Sequence, residues 1–194
     1  MKKALMIVSI LFVAVISTAC INNIAVQELN NKASQYMQNG DYESAISRLQ
    51  ASIDLDSTMY QTYYNLGVAA INANRYELAV DSLNKGLKIN PDFNDFYYSL
   101  GIAQIGYADQ IMDESYITEE AKANADDGTV EIKRTITDDD KAKAVELRQE
   151  AINNLNKYLE KESVDVKDKE LIDEMIKQSE EFINGEEKKE AASE

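Results

Sequence analysis

The sequence has 194 residues, room for one domain with a sizeable core beside a leader and a tail. Its 35 acidic residues against 20 basic ones give a formal charge of −15, which repels nucleic acid and argues against binding it. One Cys and no His exclude an internal disulfide, a zinc-ligand cluster and any nucleophile that needs a His base, so neither a metal nor a cofactor is expected.

The chain opens with Met1-Lys2-Lys3, followed by sixteen uncharged residues, 4–19, that end in Ser17-Thr18-Ala19 before Cys20. This is the three-part plan of a secretory signal, and sixteen residues fall short of the ~20 that a membrane-spanning helix needs. Ile16-Ser17-Thr18-Ala19-Cys20 resembles the lipobox of bacterial lipoproteins, with Ser17 in place of the usual Leu. The resemblance implies that residues 1–19 are a signal peptide, that Cys20 is the lipid-attachment residue and that residues 20–25 are a short tether. Loss of Lys2 and Lys3 would leave 18 basic against 35 acidic residues, a charge of −17. The implied location is the cell envelope: the outer membrane of a Gram-negative cell, or the outer face of the plasma membrane of a Gram-positive one.

Beyond the tether the chain repeats itself. Tyr42, Ala45, Ile46 and Leu49 recur 34 positions later as Tyr76, Ala79, Val80 and Leu83. A fixed period of this length marks a repeat array. Tyr63, Leu66, Gly67 and Ala70 fall on one face of a helix, as do Ala79, Leu83 and Leu87 on the next; the small Gly67 and Ala79 let the two approach closely. Asn90-Pro91 ends the second unit. The pattern resembles the tetratricopeptide repeat, a 34-residue helix–turn–helix, with Leu66-Gly67, Tyr76, Ala79, Leu83 and Pro91 at that family's spacing. The first unit keeps Leu29, Ala33, Tyr36, Gly40, Ala45 and Leu49 but has Ser57 where Pro is usual.

The resemblance implies an all-α fold, a tetratricopeptide-like α-solenoid of about three repeats plus a capping helix. The units are residues 26–59, 60–93 and 94–161. Tyr97, Leu100 and Gly101 open the third on schedule, whereas Ala151, the counterpart of Ala79, comes at 151 instead of 113, an insertion of 38 positions. The other reading is two repeats followed by unrelated helix. Leu171, Ile172, Met175, Ile176, Ser179, Phe182 and Ile183 predict the capping helix over 166–184. Residues 185–194 read as a disordered charged tail.

The insertion, at about 112–140, reads as an extension of the preceding helix to about Tyr116, a turn at Asp126-Asp127-Gly128, and a weak strand over 129–137 interrupted by Arg134. Thr137 followed by three Asp residues then caps a helix. The acidic cluster lacks the ligand spacing of a calcium loop. A solvated loop and a partner-contacting arm both remain open.

In tetratricopeptide stacks the first helix of each repeat lines a concave groove. Carried onto this chain, the groove takes Asn30, Ser34 and Met37 from the first repeat. It takes Gln61, Tyr64, Val68, Ile71 and Asn72 from the second, and Tyr98, Ile102 and Ile105 from the third. Tyr64, Val68 and Ile71 form an apolar stripe separate from the core stripe, filled either by the chain's own insertion or terminal helix or by a peptide or helix of a partner protein. None of these positions is Lys or Arg, which argues against a clamp for a terminal carboxylate. The leading expectation is a lipid-anchored adaptor or assembly factor with no enzymatic activity. A structural, self-associating envelope lipoprotein is the alternative, and a carboxylate-based envelope enzyme is a remote one.

Overall fold

The computed structural model describes residues 23–116, 135–160 and 164–192. Those residues contain seven helices and no strand: α1 over 23–38, α2 Tyr42–Leu55, α3 Tyr60–Asn72, α4 Tyr76–Ile89, α5 Asp95–Ile111, α6 Asp138–Leu159 and α7 Val166–Ala191. The chain divides into two compact units, residues 1–93 and 94–194. The leader, Cys20 and the turn expected at 126–128 lie outside the described residues.

Two helical hairpins make the first unit. Each turns on a left-handed residue, Gly40 at φ 75° and Asn74 at φ 56°, and the two stand one repeat period apart. The hydrogen bonds around them match. Asp41 N–H donates to the Tyr36 carbonyl at 2.9 Å, and Arg75 N–H to the Ala70 carbonyl at 2.8 Å. This wrap satisfies carbonyls that a helix end would otherwise leave bare.

The turns between hairpins repeat as well. Asp56 Oδ1 accepts the Thr58 N–H at 2.9 Å, and Asn90 Oδ1 accepts the Asp92 N–H at 3.2 Å. A side-chain acceptor therefore ends α2 where the expected Pro is missing. Inside the unit, Ala33, Ala45, Leu49, Ala70, Ala79 and Leu83 are fully buried. A Cβ built on Gly67 would lie 2.4 Å from Leu83 Cγ, so α3 and α4 approach to a distance that only glycine allows.

The second unit repeats that contact. A Cβ on Gly101 of α5 would lie 2.6 Å from Leu155 Cγ of α6. The partners are 16 positions apart in the α3–α4 hairpin and 54 positions apart in the α5–α6 hairpin, so the offset of 38 positions seen at Ala151 recurs in the packing. The geometry thus makes α6 the second helix of a third repeat. Of the inserted positions, five lengthen α5 beyond Gly101, ten lengthen α6 ahead of Leu155, and the other twenty-three remain in the connection. The lengthened ends form a small core of Ala108, Ile111, Ala144 and Leu147, closed by Tyr107, Met112 and Phe182. Thr137 caps α6 in a reciprocal box with Asp140, as the sequence predicts.

Three details depart from expectation. α5 stops at Ile111 rather than near Tyr116, because Asp113 Oδ1 accepts both the N–H and the hydroxyl of Ser115 at 2.8 and 2.7 Å and draws the backbone into a turn. Residues 135–137, the described end of the expected strand, are irregular, and 129–134 lie outside the described residues. The tail expected to be disordered from 185 continues α7 to Ala191. Its Glu, Lys and Ala residues are good helix formers, they extend a helix that already exists and so need no new nucleus, and Lys189 pairs with Glu186 at 2.5 Å.

Candidate partner-binding face

Helix α3 separates two faces. Tyr63, Leu66, Gly67 and Ala70 are buried toward the core, while Tyr64, Val68 and Ile71 stand half-buried and Gln61 and Asn72 are exposed. None of its thirteen residues is charged. The stripe of Tyr64, Val68 and Ile71 therefore presents apolar surface with no charge beside it on the same helix. Part of Tyr64 is already covered, since its ring meets Phe93 edge-on at 5.0 Å and 85°. The Asn72 amide donates to the Val68 carbonyl at 2.8 Å and so is turned onto its own helix.

On α1, Met37 is half-buried and Ser34 exposed. Asn30 is engaged elsewhere: its amide nitrogen donates to Ser52 Oγ and to the Val26 carbonyl, both at 2.9 Å, and its oxygen accepts from Thr62 Oγ1 at 3.2 Å. With Ser52 and Thr62 fully buried, Asn30 ties α1, α2 and α3 together, and its side chain is not free for a partner.

In the second unit Tyr98, Ile102 and Ile105 are half-buried on α5. The Tyr98 ring packs on Tyr158 at 5.2 Å, and burial first, then the Asp168 carboxylate, pushes its hydroxyl pKa up. Lys157 lies over Tyr97, 5.2 Å from the ring centre.

Residues 29–59 and 60–93 each match the tetratricopeptide repeat family. The chain carries two tetratricopeptide repeats. With its helix pairs, this places the fold in the all-α tetratricopeptide solenoid class, and the Gly101–Leu155 contact extends the tetratricopeptide pattern to the α5–α6 hairpin. No curated protein sequence matches the chain. Among solved structures, one described as "Crystal structure of MamA" is 24% identical, covers 86% of this chain and 81% of its own, and has a TM-score of 0.43. A second, "Crystal structure of MamA protein", is 24% identical over 89% of this chain and 78% of its own, with a TM-score of 0.44. Tetratricopeptide repeats are protein-interaction modules, and this chain is one in that broad sense.

Two polar clusters of the third tetratricopeptide hairpin escape sequence reasoning. Buried Gln104 donates to Glu150 Oε2 at 2.7 Å and accepts from the Asn154 amide at 2.9 Å. Its signal is positional, because Gln104 occupies the register of Ala70 in the preceding tetratricopeptide repeat. Arg148, only 7% exposed, donates to Asp109 of α5 and to Ser179 Oγ of α7, and lies 5.1 Å from the Phe182 ring centre. Among the described residues no three His, Cys, Asp or Glu side chains are placed to hold a metal ion.

Proposed function

We propose that the mature chain is a lipid-anchored protein-interaction module of the bacterial cell envelope, an adaptor or assembly factor without enzymatic activity. Its tetratricopeptide face takes a peptide or helix of a partner protein, and an acylated Cys20 holds it to the membrane. The observation that carries the reading is the uncharged α3 with Tyr64, Val68 and Ile71 half-buried outside the core stripe. Such a surface suits an apolar helix or extended segment better than a charged peptide. The proposal adds Met37 and the exposed Gln61 and Asn72 to this face in the first unit, and Tyr98, Ile102 and Ile105 at the corresponding positions of the second. The anchor is supported by the lipobox-like Ile16-Ser17-Thr18-Ala19-Cys20, which places the only Cys of the chain where the lipid would attach.

Crosslinking of the anchored chain in its own envelope tests the face. Tyr64→Glu with Ile71→Asp should abolish the crosslinked adduct while circular dichroism stays helical. An undiminished adduct would remove the face from the proposal. For the anchor, labelled fatty acid should be incorporated by the wild type and not by Cys20→Ser.

A further inference from the structure

In the first unit the first described turn of α1, the end of α2, the start of α3 and the end of α4 lie at one edge, because each short connection reverses the chain. The bonds of Asn30 to Ser52 and Thr62 tie α1 to the end of α2 and the start of α3, and the ring of Phe93, just beyond α4, is centred 5.4 Å from that of Tyr60 at the start of α3. The opposite edge carries the Gly40 and Asn74 turns and the 3.2 Å bond between Arg75 and Glu43.

Among the described residues of the first unit, the exposed large apolar side chains all lie on the former edge: Ile24 is 68% exposed, Leu55 42% and Ile89 42%. Leu55 and Ile89 are the last residues of α2 and α4, 34 positions apart, so the exposure repeats with the fold. A single exposed aliphatic needs no explanation, whereas three on one edge, two of them in register, mark a surface that meets something apolar. The chain says what that is. Ile24 comes four residues after Cys20, a reach of ~14 Å at most, so an acyl group on Cys20 keeps the bilayer beside the end of the unit that carries this edge.

We infer that this edge rests on the lipid bilayer, with Ile24, Leu55 and Ile89 entering the boundary between headgroups and acyl chains. The inference depends on the acylation of Cys20 proposed above. Asp54, Asp56 and Asp92 share the edge with Lys88, so its charge repels anionic lipid and the attraction is apolar. Zwitterionic lipid is the preferred surface.

The test uses the mature, lipidated chain, in which the acyl linkage consumes the Cys20 thiol. Leu55→Cys and Ile89→Cys report the proposed edge, and Gln38→Cys and Glu77→Cys report the opposite one; each carries an NBD dye. In phosphatidylcholine vesicles doped with doxyl-labelled lipid, dyes at 55 and 89 should shift to the blue and lose most of their emission, while those at 38 and 77 do neither. Four unquenched dyes on a chain whose Cys20 is acylated by mass spectrometry overturn the edge assignment and leave the anchor standing. An unmodified Cys20 overturns both. A blue shift without quenching by lipid means that a second copy covers the edge, which also overturns the assignment. A dye at Thr58→Cys, quenched in the parent chain, should recover its emission when Leu55→Asn and Ile89→Asn are added, while the chain stays on the vesicles.

Discussion

At residues 67 and 101 a single methyl group decides how closely two helices pack. A Cβ would sit 2.4 Å from Leu83 Cγ in one hairpin and 2.6 Å from Leu155 Cγ in the other, so either leucine must leave its rotamer or the helices must part. Gly67→Ala and Gly101→Ala should each destabilise the fold by roughly 1–3 kcal/mol in urea unfolding, despite the better helix propensity of Ala. A double-mutant cycle with Leu83→Ala should show the two changes compensating in part. Asn74 poses the opposite case. Its φ of 56° is strained for a residue with a side chain, and its repeat counterpart is Gly40. Asn74→Gly relieves φ but loses the 3.0 Å bond that Asn74 Oδ1 accepts from the Tyr76 hydroxyl, so it should stay within about 0.5 kcal/mol of wild type, whereas Asn74→Val should cost roughly 1–2 kcal/mol by the same measurement.

Among the elements, α7 is thinly attached for its length. Only Ile172 and Ser179 are buried along its 26 residues, and Ser179 meets the buried guanidinium of Arg148. The guanidinium leaves its Nε without a hydrogen-bond partner among the described residues, a cost that replacement by an apolar chain removes. Neither partner would then be stranded, because Asp109 is 60% exposed and Ser179 Oγ also donates to the Met175 carbonyl. Arg148→Met should therefore leave stability within about 1 kcal/mol of wild type, while Arg148→Ala, which loses the packing on Phe182, should cost roughly 2 kcal/mol. Ile172→Asp should release α7, read as fast hydrogen exchange across 166–191 with α5 and α6 still protected.

For the molecule as a whole, charge is the dominant variable. At −15 the folded chain repels itself, so added salt should raise the melting temperature as the screening length falls to ~8 Å at 0.15 M. Two effects oppose each other in acid. Hydrogen bonds from Thr58, Ser115 and Lys141 hold Asp56, Asp113 and Asp138 below the usual carboxylate range. Their stabilisation is present above the ordinary carboxylate pKa and is lost as pH falls through the lowered values. All three are wet, so relief of repulsion should win first: melting temperature should rise from pH 7 to about 5 and fall only below ~3.5.

Much of this molecule was legible in the sequence because a repeat states the same contacts twice. The repeat period found the hairpins, and Gly67 with Ala79 announced their close approach. The counterpart Ala151 located α6 across the whole insertion. The apolar stripe of α3 was legible from helical spacing, since burial on one face leaves the remaining apolar positions for the other. What stayed hidden depends on partners distant in the chain. Nothing near Asn30 says that Ser52 and Thr62 will claim it, and nothing near Arg148 names Asp109 and Ser179. The end of α7 was misread for a different reason: a charged tail has nothing to bury, yet a helix already nucleated upstream continues through good formers at little cost.

The unequal lengthening of the third hairpin has a mechanical consequence. Ten added residues carry α6 about 15 Å beyond the level at which its counterpart begins, and five carry α5 only about 7 Å, at about 1.5 Å per residue. The first turns of α6 therefore run on past the end of α5, with Ala144 its first buried residue, and Phe182 of α7 packs against that level. The leading turn of α6 is held by the Thr137–Asp140 box, by the 2.7 Å pair of Lys141 with Asp138, and by Glu186 of α7, whose charge also favours the protonated Lys141. Thr137→Ala should remove about 1 kcal/mol there. The helix would then fray from its first turn, and limited proteolysis would cut more readily at residues 138–143 than in the wild type while the Gly101–Leu155 contact stays closed.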